Sequence, residues 1–295
     1  MKRILLLDIG NSTHVLTLFG PVDWQQAAGL AAVATPVLSR TSLPNEQLRP
    51  AGVLAEEIRR ILEIPSNWPS VDSAVTLADD LAAFVCSVVP ALAAAAATVF
   101  ADLGIQAVVL DSTMAAGVLN PYKEPGRLGA DRLAAAAGAR LLFPGKDCII
   151  VDCGTACTVD ALCADAAMAG GYIVPGPATW LGSLRSGTAQ LPSLELQLQG
   201  EHGPGRTTAA CIANGLRVGY PAMLDGLCRT LQATVFVDRS PMYLFCGGWA
   251  AMLMAALKET IPQWTGIAAE LSPDLLARGA LYMGLSALPA VSPSV

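Results

Sequence analysis

"LLLDIGNSTHVLTLF" (residues 5–19) drives an apolar run into an aspartate, breaks at Gly-Asn-Ser-Thr and turns apolar again. Taken alone, it reads as a strand, a tight turn and a second strand, with the Asp8 side chain capping the turn. A strand-end carboxylate followed by glycine and small polar residues also suits a phosphate and metal site. Backbone N–H groups can approach phosphate oxygens there, Asn and Thr add hydrogen bonds, and the carboxylate holds a divalent cation directly or through water. A second copy shifts the balance toward this reading. "CIIVDCGTACTVDALC" (148–163) repeats strand, aspartate, glycine, small polar turn and strand, aligning Asp8 with Asp152 and Gly10 with Gly154 about half a chain apart. Two halves of one design are expected, each offering a loop to a nucleotide.

The totals suit a folded chain of this kind. Its 295 residues are comfortable for two domains. A 53% apolar and 14% charged composition excludes a disordered chain and suggests buried parallel sheet with Ala-rich helices. Net charge is -6 without a basic cluster, so the footprint of a nucleic-acid binder is missing. Eight cysteines without a C-x-x-C, and only two histidines, give no zinc spacing, and the thiols read as reduced core residues of a cytoplasmic protein. Met-Lys-Arg precedes an apolar run of only four residues, too short for a signal-peptide core. Leu81–Ala101 is uncharged and long enough to span a bilayer. Its grammar, though, is a strand ending before Pro90, a helix ending before Gly104 and a further strand "IQAVVLD", so no membrane segment is expected.

Elsewhere, Pro36, Pro44, Pro50, Pro65 and Pro69 break residues 36–72 around one helix, "GVLAEEIRRILEI". The zone reads as surface elaboration with no chemistry. "NPYKEPGRLGADRLAAAAGARLLF" is a loop delivering Asp131 to a helix start. There Asp131 is an ordinary N-terminal acid or, alternatively, a base or hydroxyl-orienting group for phosphoryl transfer, with Arg132 able to pair with a substrate carboxylate. Strand, turn and helix follow in "AGGYIVPGPATWLGSLRSGTAQLP". Helices are then expected in "GLRVGYPAMLDGLCRTLQA" and "PDLLARGALYMGLSAL", a strand in "MYLFCGG", and a frayed tail in "PAVSPSV".

Taken in order, "DIGNST" (8–13), "YKEPGRLGADR" (122–132), "DCGTACTVD" (152–160), "GGYIVPG" (170–176) and "TAQLP" (188–192) resemble the motifs of the type III pantothenate kinases, whose members include the Bvg accessory factor group. The resemblance runs from residue 4 to about 285 and spares the Pro-rich zone. It implies an α/β protein of the actin-like ATPase fold, the sugar-kinase and Hsp70 type, with two RNase H-like domains (1–125 and 126–295, the last helix packing back on the first domain) and the active site in the cleft between them. The implied activity is ATP-dependent phosphorylation of pantothenate on its 4′-hydroxyl, the first step toward coenzyme A. Carried over by residue, Asp8, Ile9, Gly10, Asn11, Ser12, Thr13, His14 and Val15 form the ATP phosphate loop, with Asp8 near Mg²⁺. Thr155 touches ATP, and Asp152 holds a monovalent cation, K⁺ or NH₄⁺. Asp131 accepts the proton, and Tyr122, Gly129, Ala130, Asp131, Arg132 and Thr188 hold pantothenate, Thr188 across a homodimer interface. Cys153 and Cys157 depart from the family's usual residues at positions given no chemistry. His14 reads as a loop residue rather than a catalyst. Another small-molecule kinase or ATPase of the same fold, or a nucleotide-binding regulator without turnover, is the alternative.

Overall fold

The computed structural model describes residues 2–22, 28–45, 51–62, 81–120 and 122–288. The tail read as frayed, 289–295, and parts of the 36–72 zone, 46–50 and 63–72, lie outside the described residues.

Contacts divide the chain into two units, Met1–Phe143 with Leu275–Val295, and Pro144–Asp274. The first is built on β1 (Lys2–Ile9), β2 (Thr13–Val22), β3 (Val37–Pro44), β4 (Leu81–Ser87) and β5 (Ala107–Leu110), in the order β3-β2-β1-β4-β5. β1, β2 and β3 pair antiparallel, while β4 and β5 run parallel to β1. The central strands β1 and β4 read as continuous apolar runs because both sheet faces are covered. Leu5, Leu7 and Ile9 join Leu16, Leu18, Val85 and Phe100 in one core, to which α2 (Ala51–Ile61) and α3 (Pro90–Asp102) contribute. α1 (Ala28–Ala34), α4 (Ala130–Leu142) and α8 (Leu275–Ala287) pack together, α4 and α8 also against β4.

The second unit repeats the arrangement. β6 (Cys148–Cys153), β7 (Ala156–Leu162), β8 (Met168–Pro175), β9 (Met242–Cys246) and β10 (Ala269–Leu271) lie in the order β10-β9-β6-β7-β8. Again three strands are antiparallel and two are parallel. The repeat heard in the sequence is therefore a repeat of topology, strand for strand, and each unit is RNase H-like. α5 (Pro177–Ser186), α6 (Thr208–Val235) and α7 (Ala250–Thr260) complete this unit. In its core Tyr220 of α6 donates a hydrogen bond to the Pro175 carbonyl at 2.9 Å.

Leu81–Ala101 forms β4 and nearly all of α3, and among the described residues no helix is long and apolar enough to cross a membrane. Two expectations change. The division falls at 143/144 rather than at 125/126, because α4 packs along α8 and β4 and so goes with the first unit. The zone from residue 36 supplies β3, an edge strand of the first sheet, as well as the expected helix. The edge position explains the miss. With five of its eight residues exposed, β3 carries no hydrophobic alternation to announce it.

The close approach of α4 and α8 explains the composition of both. α4 buries Ala130 and residues 132 to 139 almost without a break. At Gly138 a Cβ would fall 1.9 Å from the Leu275 carbonyl oxygen, and at Gly279 it would fall 1.7 Å from that of Ala134. Only residues this small let two helix backbones touch. The helix that begins with Asp131 and Arg132 is thus clamped along its length.

Candidate functional site

The loop of the first unit is short. Asp8, next to last in β1, stands opposite Val15 on β2 and Cys86 on β4. The Gly10 N–H closes the turn on the Thr13 carbonyl at 2.9 Å. The eight residues expected as a phosphate loop therefore comprise two strand ends and a three-residue turn, Gly10 to Ser12. Asn11, Ser12 and Thr13 are exposed, whereas the side chains of Ile9 and His14 are buried. His14 is a strand residue, paired with Ile9 and Leu43, which corrects its reading as a loop residue. A Cβ added at Gly10 would meet nothing nearer than the Thr13 carbonyl oxygen at 3.4 Å, so protein packing does not itself require glycine there.

The second loop matches the first in register. Asp152 is next to last in β6, opposite Thr158 on β7 and Cys246 on β9, and the Gly154 N–H closes on the Ala156 carbonyl at 3.0 Å. Beyond each parallel neighbour the chain bonds back to the aspartate strand. The Val88 N–H donates to the Ile9 carbonyl at 3.1 Å, and the Trp249 N–H to the Cys153 carbonyl at 3.0 Å. Thr155 is braced from beneath by residues that sequence reading gave no role. Its carbonyl accepts from the Thr179 hydroxyl at 2.6 Å and from the Gly176 N–H at 2.8 Å. A Cβ at Gly176 would strike the Gly154 carbonyl oxygen at 2.0 Å, and the Pro-Gly-Pro at the start of α5 was the available signal.

Carboxylate oxygens suit hard cations such as Mg²⁺ and K⁺. Gly247, at φ +86°, makes room for one of these groups: a Cβ there would lie 2.4 Å from Asp152 Oδ1. Among the described residues no cluster of three or more His, Cys, Asp or Glu side chains could hold a metal. A Mg²⁺ ion held by one or two carboxylates plus substrate phosphates needs no such cluster.

In the first unit, Gly129 caps α4 in extended conformation and Asp131 follows in its first turn, where the helix dipole favours a carboxylate. The Arg132 backbone N–H donates to Asp131 Oδ1 at 2.7 Å. A Cβ at Gly129 would sit 2.3 Å from that oxygen, so a larger residue there would displace the Asp131 carboxylate from this position. Arg132 is 6% exposed, its guanidinium donating to the Tyr122 hydroxyl with its carbon 5.6 Å from the ring centre. Tyr122 is held in turn by a bond from its N–H to Asn120 Oδ1 at 3.1 Å, and Asn120 also donates to the Pro125 carbonyl. Tyr122, Gly129, Ala130, Asp131 and Arg132 are thereby gathered at one helix start. A planar cation held beside a phenol and a helix N-terminus is suited to a small carboxylate ligand. Thr188, in the second unit, is exposed past the end of α5 with its hydroxyl donating to the Leu184 carbonyl at 2.7 Å. The second unit also holds a cavity of about 400 Å³ whose lining includes Leu181, Glu195, Asn214 and Arg217, but no residue expected to carry chemistry.

Comparison with known proteins bears on this arrangement. Residues 4–230 match the family model described as type III pantothenate kinase. A relative of that description from Dehalococcoides mccartyi is 30% identical over 254 residues, covering 85% of this chain and 88% of its own. Another, from Chlorobium luteolum, is 31% identical over 286 residues, covering 95% and 93%. Among solved structures, a Campylobacter jejuni protein described as of the Baf family superposes with a TM-score of 0.51 at 18% identity, covering 93% of this chain and 94% of its own, a likeness of fold.

Proposed function

The chain belongs to the type III pantothenate kinase family, and from that premise we propose that it transfers the γ-phosphoryl group of ATP to the 4′-hydroxyl of pantothenate, the opening step of coenzyme A synthesis. The observation that supports this most is the grouping at the start of α4, where Asp131 sits beside a buried Arg132 that is tied to Tyr122. Arg132 and Tyr122 take the pantothenate carboxylate, and Gly129 and Ala130 leave the chain of the substrate room. Asp131 orients the hydroxyl. As its oxygen bonds to the γ-phosphorus, the bridging P–O bond breaks, ADP leaves, and Asp131 accepts the hydroxyl proton. Transfers of this kind depend on positioning and charge stabilisation more than on covalent help.

On the nucleotide side, the strand-end Asp8 and the turn Gly10 to Ser12 hold the ATP phosphates, with backbone from Ile9, Thr13, His14 and Val15 shaping the loop. Thr155 lies against ATP. A bound Mg²⁺ would neutralise phosphate charge, with Asp8 holding it, and Asp152 would hold a monovalent cation, K⁺ or NH₄⁺. Thr188 contacts pantothenate across a homodimer interface, and the protein works in the cytoplasm.

The test is ATP-dependent phosphorylation of pantothenate with K⁺ present, comparing wild type with Asp131→Asn. Loss of a general base lowers kcat by about a hundredfold or more. Wild-type turnover in that variant removes Asp131 from this role, and absence of pantothenate phosphorylation by the wild type removes the assignment altogether.

A further inference from the structure

The turn of the first loop is fastened by a residue from outside it. Asn45, immediately after β3, donates its side-chain N–H to the Gly10 carbonyl at 2.7 Å and its backbone N–H to the Ser12 carbonyl at 2.8 Å. Peptide planarity gives these two bonds a directional consequence. The N–H following each trans carbonyl points the opposite way, so fixing the carbonyls of Gly10 and Ser12 aims the N–H groups of Asn11 and Thr13 away from Asn45. The backbone bond needs no particular side chain, whereas the bond to Gly10 needs a short side-chain donor.

The orientation of the Asn45 amide is itself determined by its surroundings. With its nitrogen committed to Gly10, its oxygen is buried and has no hydrogen-bond partner within ordinary geometry. The same is true of Nδ1 of His14, which is 1% exposed. Asn45 favours a proton on the imidazole, while burial acts the other way and lowers the His14 pKa overall.

We propose that Asn45 is a positioning residue for the phosphate loop, holding the Gly10 and Ser12 peptides so that the turn presents its N–H groups to the nucleotide. The inference rests on residues 8–15 being the phosphate loop. It gives a catalytic consequence to a zone whose sequence suggested none. Asn45 touches no substrate in this scheme and acts through the loop.

The experiment is steady-state kinetics of Asn45→Ala with ATP and pantothenate varied separately. One neutral hydrogen bond lost from the loop raises the KM for ATP about tenfold, while the KM for pantothenate stays within twofold of wild type and the melting temperature within a few degrees. An ATP KM within twofold of wild type overturns the proposal, and so does a parallel rise in both constants, which is what general damage gives. If Asn45→Ala does not fold, Asn45→Ser is measured by the same criteria, its hydroxyl being short of the Gly10 carbonyl. Gly10→Ala reports separately on the loop, since a methyl there meets no protein atom closer than 3.4 Å and can obstruct only a ligand. An unchanged ATP KM in Gly10→Ala overturns the phosphate-loop reading itself. A raised KM there with an unchanged one in Asn45→Ala overturns the positioning role alone.

Discussion

Replacing Gly279 with alanine sets two well-measured effects against each other. Alanine is the better helix former by about 1 kcal/mol in a helix interior, and Gly279 lies within α8. Against that gain, the new Cβ would fall 1.7 Å from the Ala134 carbonyl oxygen, 2.6 Å from the Gly138 nitrogen and 2.7 Å from the Ala134 carbonyl carbon. All three are backbone atoms of α4, and no side-chain rotation relieves them. Ordinary contact requires the helices to part by more than about 1.5 Å, loosening a seam that includes Ala134, Gly138, Leu275 and Gly279. Overpacking of this kind costs about 1–3 kcal/mol, and a clash with rigid backbone belongs at the upper end. The net expectation is a loss of about 2 kcal/mol, or roughly 4–8 °C in melting temperature for a unit of this size. Gly226→Ala is the matched control, because Gly226 is an exposed position within α6 where a Cβ meets nothing within 4 Å. It should raise stability by up to about 1 kcal/mol. Thermal melts of the two variants beside wild type decide the matter. A Gly279→Ala protein as stable as wild type, or one shifted in the same direction as Gly226→Ala, refutes the close helix contact as the reason for glycine.

Two further outcomes follow from the site. Tyr122→Phe keeps the ring against the Arg132 guanidinium but removes the hydroxyl that accepts from it, so the KM for pantothenate should rise about fivefold to tenfold with the KM for ATP unchanged. An equal effect on both substrates would detach the pair from pantothenate. Burial lowers the His14 pKa below its ordinary 6.5, with Asn45 and Glu57 pulling weakly the other way. Below that value the unfolded chain takes up a proton that the folded chain resists, so stability is full above pH 6.5 and falls as acid takes the pH down through the folded pKa. Melting temperatures measured from about pH 7.5 to about pH 5.5 should drop more steeply in wild type than in His14→Gln, and parallel curves would remove His14 from the acid response.

The sequence by itself determined whatever is written in contiguous residues. Asp8 and Asp152 end buried strands before small polar turns, and the apolar runs before them announce central strands covered on both faces. Asp131 begins a helix because a Pro/Gly-rich loop stops at an alanine run, and five ordered motifs carry the family resemblance. Such signals are local, since helix starts, turns and buried strands are specified by residues within a few positions of one another. Tertiary structure decided what depends on distant partners. β3 is a strand because β2 lies beside it, although its own exposed residues carry no alternation. His14 is in the core because β2 is flanked by β1 and β3, and α4 goes with the first unit because α8, well over a hundred residues later, fits against its glycine. Asn45 reaches Gly10 across 35 positions of sequence through one side-chain bond. No periodicity encodes a contact of that kind, because its donor and acceptor are ordinary groups until the sheet brings them together.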